Sequence, residues 1–594
     1  MLSKSNDSDL IKRKIDAQFI PFCQIWQELV SNRTLDTYQY RIFTSISILR
    51  ELLGVLDKTI DGTFTNDANL DNCKEESLAI IKNDIVFDKY FKNIKGRLLS
   101  ALGISSKSLS EKKRLQSQIK YLLRLFEQDY YFKAFAELEE AISNKDMSNI
   151  SYFANIIASQ AVNKGWSTRA LFELIRLFTS DKTKEEQWSK FKNSVLLNGK
   201  NDFTVLIWIP LSRKSSEKQN LMLEMLGKMG LNAYSRDELV SQLHQIEDLR
   251  TLLKAEKKYF KIEIQAYDAY MAAHTALFSI SDKLNLISFY NFVGSWDLAS
   301  VGFVSIDNLS KYHTSFSASE LYQTYDYLDS SGKIFADTQR IILDDSKKKI
   351  RDKLEGTFSY TNTSRCSLFQ EEKYMNLWVA LESLSRTQMY SDIISGVKNT
   401  VPAAETLRYI YRNVRNYADD VARCCVEITY KGKTINCKKE AKQELVNEII
   451  QVLNDPESYA LLLDRSKINS LLAYRTECIH KLVTDEEYAV DKISNHYNKV
   501  RWQIQRLYRI RNEITHTALR EQTSLMVYIE HLYDYLSKYI AEIVTCINEK
   551  GYSTLEEALA YIVDNYNCFI ELSKEKDKKT SLAQLFETGV ISLL

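Results

Sequence analysis

KVRWQIQRLYRIRNEITHTALR, residues Lys499–Arg520, contains no proline or glycine. Its apolar residues recur at three and four, the spacing of one amphipathic helix of about six turns. At about 100° per residue, Ile504, Leu507, Ile514 and Ala518 form one stripe with Arg511 in its middle, while Arg509, Asn512, Glu513 and His516 lie on the opposite, polar side. A guanidinium on an apolar stripe needs a partner, because burying it unpaired is costly. Arg511 therefore calls for a carboxylate of this chain or a phosphate from outside. Asn512 and His516, spaced i and i+4, present their side chains to one group.

Metal-independent RNA cleavage asks for such a set. A base takes the proton of the ribose 2′-OH, an acid protonates the leaving 5′ oxygen, and a cation stabilises the charge gathering on phosphorus. Histidine, with an unperturbed pKa of about 6.5, serves either proton role near neutrality. The segment RIRNEITHTA (509–518) resembles the R-x4-6-H signature of the HEPN superfamily, with Asn512 as the polar residue after the arginine. Upstream, NLWVALESL (376–384), then the arginine- and tyrosine-rich VPAAETLRYIYR (401–412) read as a helix started by Pro402, and finally LYRIRNEITH (507–516) follow an order similar to the Apea-like HEPN proteins of bacterial anti-phage defence. The resemblance covers about residues 369–544.

That resemblance implies Arg511 as the stabiliser of transition-state charge, His516 as the proton-transfer group, and Asn512 as the residue that orients His516 or the scissile phosphate. It implies a homodimer or higher even oligomer joined through the C-terminal domain, since one HEPN module supplies half of a composite cleft. Arg501, Arg506 and Arg509, interleaved with Trp502 and Tyr508, are candidates for holding the flanking RNA backbone and stacking a base; salt bridges on an exposed helix are the alternative. A phage-derived trigger or an inhibitory partner would act through the N-terminal region. No cofactor and no metal is expected.

With 594 residues the chain exceeds one ordinary core. Only four prolines and sixteen glycines interrupt it, which predicts a mainly α, multi-domain protein. A formal charge of +1 rules out a uniformly basic nucleic-acid coat and leaves room for a local basic patch. The nine cysteines show no CxxC pair or zinc spacing and read as reduced intracellular thiols. No apolar run is long enough to span a bilayer and the N-terminus lacks an apolar signal core, so the expected location is the cytoplasm.

Residues 1–200 read as an N-terminal helical domain. Its helices include 9–30 (kinked or restarted at Pro21), 38–57, 108–143 with a capping box at Ser108 and Glu111, and 149–161. The aromatics of 121–135 read as core packing rather than a base-stacking platform. Residues 201–365 form a mixed α/β middle region: FTVLIWIP (203–210) is strand-like, 284–308 suggests hairpins, and 312–333 and 358–366 read as linkers. Residues 366–550 make up the HEPN-like helical bundle, and 551–594 a helical tail.

Two further motifs have competing readings. RTECIH (475–480) repeats the Arg-x4-His spacing, but Arg475 and Arg511 stand too close in sequence for two full modules, and Thr476 replaces the polar residue. Arg475 and His480 are thus either a second half-site or core packing. YADD (417–420) spells a polymerase metal box, yet its neighbours predict helix, not the hairpin such chemistry needs. The functional expectation is a metal-independent endoribonuclease of the HEPN type, a latent toxin-like effector of abortive infection. The alternative is a non-catalytic helical scaffold or nucleotide-sensing dimer with a degenerate HEPN module.

Overall fold

The computed structural model describes residues 5–31, 43–64, 66–208, 216–242, 247–255, 257–289, 301–306, 311–317, 332–367, 369–438, 442–517 and 525–574. The fold is mainly helical, with one five-stranded antiparallel sheet and a two-stranded ribbon. The chain divides into two compact units. One gathers residues 1–160, 178–187 and 325–594, and the other holds 161–177 and 188–324. This partition differs from the expected boundaries at 200 and 365, because the N-terminal helices and the C-terminal bundle share one unit.

In the first unit a short helix, Asp7–Lys12, precedes α1 (Ile20–Val30), which has Pro21 in its first turn, where a missing N–H costs nothing. It continues with α2 (Ser45–Ile60), α3 (Ala68–Lys82), α4 (Lys92–Gly103), α5 (Leu109–Arg124) and α6 (Glu127–Asn144). The capping box at Ser108 is formed: its hydroxyl accepts from the Glu111 N–H, and the Glu111 carboxylate accepts from the Ser108 N–H. The expected 108–143 helix breaks at Leu125–Phe126, where α5 ends and α6 begins. Phe126, Tyr130, Tyr131 and Phe135 are buried as core, but Tyr121 and Phe132 are exposed.

The second unit is built on β1 (Asn201–Trp208), whose run of Phe203 to Ile207 is buried throughout. A strand apolar on both faces belongs in the middle of a covered sheet. β2 (Ala233–Tyr234), β3 (Tyr259–Ala266), β4 (Val301–Ile306) and β5 (Lys311–Ser317) complete the order β2-β3-β1-β4-β5. Helix α7 (Ala269–Phe289) covers this sheet, presenting Ala272, Ala273 and Ala276, short side chains that permit close approach. The hairpin expected in 284–308 is thus displaced: α7 runs to Phe289 and β4 pairs with β5. The expected linker 312–333 lies partly outside the described residues.

The chain returns to the first unit with α8 (Lys348–Cys366), which absorbs the stretch 358–366 read as a linker. Thr357, Thr361 and Thr363 there return their hydroxyl hydrogens to carbonyls four residues back, so polar composition did not prevent helix. Then come α9 (Gln370–Ser385), α10 (Ile393–Leu407), α11 (Tyr409–Arg423), α12 (Ser470–Thr484), α13 (Glu486–Thr517), α14 (Leu525–Lys550) and α15 (Leu555–Lys574). Pro402 does not start a helix; it sits inside α10. Helix α10 packs against α9, α13, α14 and α15 at the centre of one apolar core. A Cβ on Gly396 would meet the Ser385 carbonyl oxygen at 2.8 Å, so glycine lets the start of α10 lie on the end of α9.

Candidate functional site

The helix anticipated at 499–520 is the last part of α13, with 518–520 outside the described residues. Its inner stripe holds Val500, Ile504, Leu507 and Ile510 in the core, with Ile514 packed beside them; Ala518 lies outside the described residues. Ile510 takes the buried position next to Arg511, so the guanidinium sits half-buried at the edge of the stripe rather than in its middle. Among the described residues no carboxylate pairs with it. Arg511 Nη1 donates to Asn512 Oδ1 at 3.2 Å, and its Nε is buried without an acceptor. Thr515 folds its hydroxyl back onto the Arg511 carbonyl at 2.8 Å, with Met375 of α9 alongside. His516, one and a half turns beyond Arg511, is exposed. The Asn512 carboxamide oxygen is thus turned to Arg511, where orientation of His516 or of a phosphate was expected.

The polar side of α13 is solvated only toward its end, at His516; farther back it is covered. Gln505, Arg506 and Arg509 are buried against the N-terminal helices α2 and α3, and Gln503 is buried beside His531 of α14. Arg506 Nε donates to both oxygens of Glu51 at 3.0 Å, its Nη2 reaches Glu76 at 2.5 Å, and its Nη1 donates to Gln503 at 2.6 Å. Arg509 pairs with the same Glu51, and Arg501 with Glu75. Gln505 donates to Asn69 at 2.8 Å, and Lys58 pairs with Glu513. Burial raises the Glu51 carboxyl, but Arg506 and Arg509 outweigh it and hold it below its ordinary range. Burial keeps Glu76 raised in spite of Arg506.

These contacts correct the expected RNA-binding set. Arg506 and Arg509 are 3% and 4% exposed and both pair with Glu51, so neither is free to grip a phosphate backbone. Arg501 is committed to Glu75, and Tyr508 leans on Trp378 with ring centroids 5.9 Å apart. The missing signal was long-range: Glu51 stands 455 positions before Arg506, and nothing local joins them.

In the second Arg-x4-His motif both named side chains are half-buried and have internal partners. Arg475 reaches Asp420 at 2.5 Å and Glu28 at 3.2 Å. Thr476, fully buried, shares hydrogen bonds with Tyr417 and Ser466. The His480 ring stacks on Tyr459 at 3.6 Å, with Nδ1 2.9 Å from the Leu453 carbonyl. The YADD segment is helical, inside α11, with Asp420 serving as the partner of Arg475. A cavity of about 190 Å³ opens beside Arg475, Glu28, Tyr409 and Tyr474, and none of the Arg511–His516 turn lines it.

Among the described residues no cluster of three His, Cys, Asp or Glu side chains is placed to hold a metal ion. No protein-family model, curated protein or solved structure matches this chain. None of the nine cysteines is in a disulfide, and among the described residues no helix is long and apolar enough to cross a membrane. The candidate site therefore stands on local chemistry: a half-buried guanidinium without a carboxylate, an amide that orients it, and an exposed imidazole on the same last turns of α13.

Proposed function

We propose that the C-terminal turns of α13 form half of a metal-independent endoribonuclease site of the HEPN type. The observation that carries this reading is Arg511. A guanidinium with a buried Nε lacking an acceptor, and no carboxylate paired with it among the described residues, has the charge and the donors to meet a phosphate. Asn512 fixes its plane from one side. His516, exposed on the following turn, is the proton-transfer group.

Attack of the 2′-OH on phosphorus expels the 5′ oxygen and leaves a 2′,3′-cyclic phosphate and a 5′-OH. One proton leaves the 2′-OH as another reaches the leaving oxygen, and a single imidazole cannot do both in one step. A second copy of the chain, related by a twofold axis near α13, supplies the second imidazole. The chain then works as an even oligomer, with the α2–α3 pair holding α13 in place and restraining the enzyme until it is triggered in anti-phage defence.

The test is cleavage of single-stranded RNA by purified protein in EDTA. Wild type should cut, and His516→Ala and Arg511→Ala should not. Cutting that EDTA stops, while the His516 variant retains it, would remove the proposal. The alternative, a non-catalytic dimer or nucleotide sensor, is favoured by one feature: three of the four expected RNA-gripping residues are tied up in internal ion pairs.

A further inference from the structure

The proposed site has few cations of its own left to hold RNA, so a backbone-binding region has to lie elsewhere on the surface. Between Lys89 and Arg124 the chain carries ten lysines and arginines against one acid, Glu111, although the whole protein nets only +1. Part of this charge is paired: Lys95 reaches Asp88 at 2.6 Å and Lys112 reaches Asp67 at 2.6 Å, both lysines buried, while the more exposed Lys89 pairs with Glu137 and Glu140 and Lys120 lies 3.8 Å from Asp57. The remainder points outward. Lys92, Arg97, Lys113, Arg114 and Arg124 are exposed and form no ion pair among the described residues.

Helix α5 sorts its sides cleanly. Leu115, Ile119, Leu122 and Leu123 face the core, while Lys113, Arg114, Ser117, Lys120, Tyr121 and Arg124 form one exposed stripe at three-four spacing. The stripe is about 16 Å long at 1.5 Å per residue. Tyr121 is 53% exposed, and the Arg97 guanidinium from the adjacent α4 lies 5.5 Å from its ring centroid. A helix that is only a solvated surface mixes charges of both signs. The side chains of this stripe carry a single sign around an exposed aromatic ring, with Asp57 of α2 beside Lys120 as the neighbouring acid; cations on phosphates and a ring under a base are how proteins track a single strand.

We propose that the α4–α5 face binds single-stranded RNA, with Lys113, Arg114 and Arg124 on successive phosphates and a base stacked on Tyr121. The choice of RNA rests on the ribonuclease reading; the patch itself does not. An anionic membrane is the less suited partner, because a helix lying on a bilayer turns its apolar side outward and α5 turns that side into the core.

The experiment uses the full chain and a fluorescent 2′-O-methyl 20-mer, which cannot be cut by 2′-OH attack, titrated by anisotropy from 50 to 300 mM salt. Wild type should bind, and K113E/R114E/R124E should weaken binding at least tenfold and flatten the log–log salt slope by about 2, since each phosphate contact on a single strand contributes about 0.7. Tyr121→Ala should weaken binding at least fivefold and leave the slope unchanged, and it stands alone where the triple variant does not fold. Binding by both variants equal to wild type overturns the assignment. So does retention on phosphatidylserine vesicles with no affinity for the oligonucleotide. Because no cleavage is read, loss of the ribonuclease reading would show in EDTA assays and not here.

Discussion

Arg506 of α13 donates through one Nε to both carboxylate oxygens of Glu51 on α2, at 3.0 Å each. The two are 455 positions apart, and this buried pair, shared with Arg509 and Glu76, fastens the N-terminal helices to the helix that bears Arg511 and His516.

Breaking that cluster from one side strands a buried charge. Arg506→Ala should cost about 3–5 kcal/mol in urea unfolding. Glu75→Ala, which frees the more exposed Arg501, should cost under about 1 kcal/mol. Equal costs for the two would show that the cluster contributes no more than a surface pair.

Acid should loosen the same contact. The folded Glu51 carboxyl lies below its ordinary value of 4.5, so the stability it contributes is fully present above that value and is lost as pH falls through the folded one. Wild type should therefore lose unfolding free energy more steeply than Glu51→Gln between about pH 5 and pH 3. A steeper slope in the variant would reverse the assigned sign.

Arg511 should behave in the opposite way to Arg506. Among the described residues no acid depends on it, so Arg511→Ala should change stability by about 1 kcal/mol or less, while RNA cleavage falls at least about a hundredfold. A large loss of stability would assign Arg511 to the scaffold.

His480 provides the control. Its ring is held by Tyr459 and the Leu453 carbonyl, so His480→Ala should leave cleavage within about twofold and lower the melting temperature. A cleavage defect as deep as that of His516→Ala would restore the second motif to the site.

How much was legible depended on the range of the interaction. The Ser108 capping box, the restart at Pro21 and the apolar run of β1 are set by residues within a few positions, and each was readable. Helix α13 was readable from its period, and so was the helical nature of YADD. Its burial was not: the period marks Arg506 and Arg509 as polar-face residues, and only the folded chain brings Glu51 and Glu76 to them. Composition misled at 358–366, where threonine hydroxyls satisfy helix carbonyls, and at Pro402, which α10 accommodates in its interior. Tyr121 fell in a stretch read as core, because helical spacing alone does not show that α5 turns that one ring outward.

The chemistry of RNA ends reports on the central assignment most directly. Total RNA from cells expressing wild type or His516→Ala would be sequenced by a method that captures 5′-OH and 2′,3′-cyclic phosphate termini. New paired termini of these two kinds with wild type, absent with His516→Ala, are the expected result. Identical end profiles from the two, or new ends carrying 5′ phosphates, would contradict it.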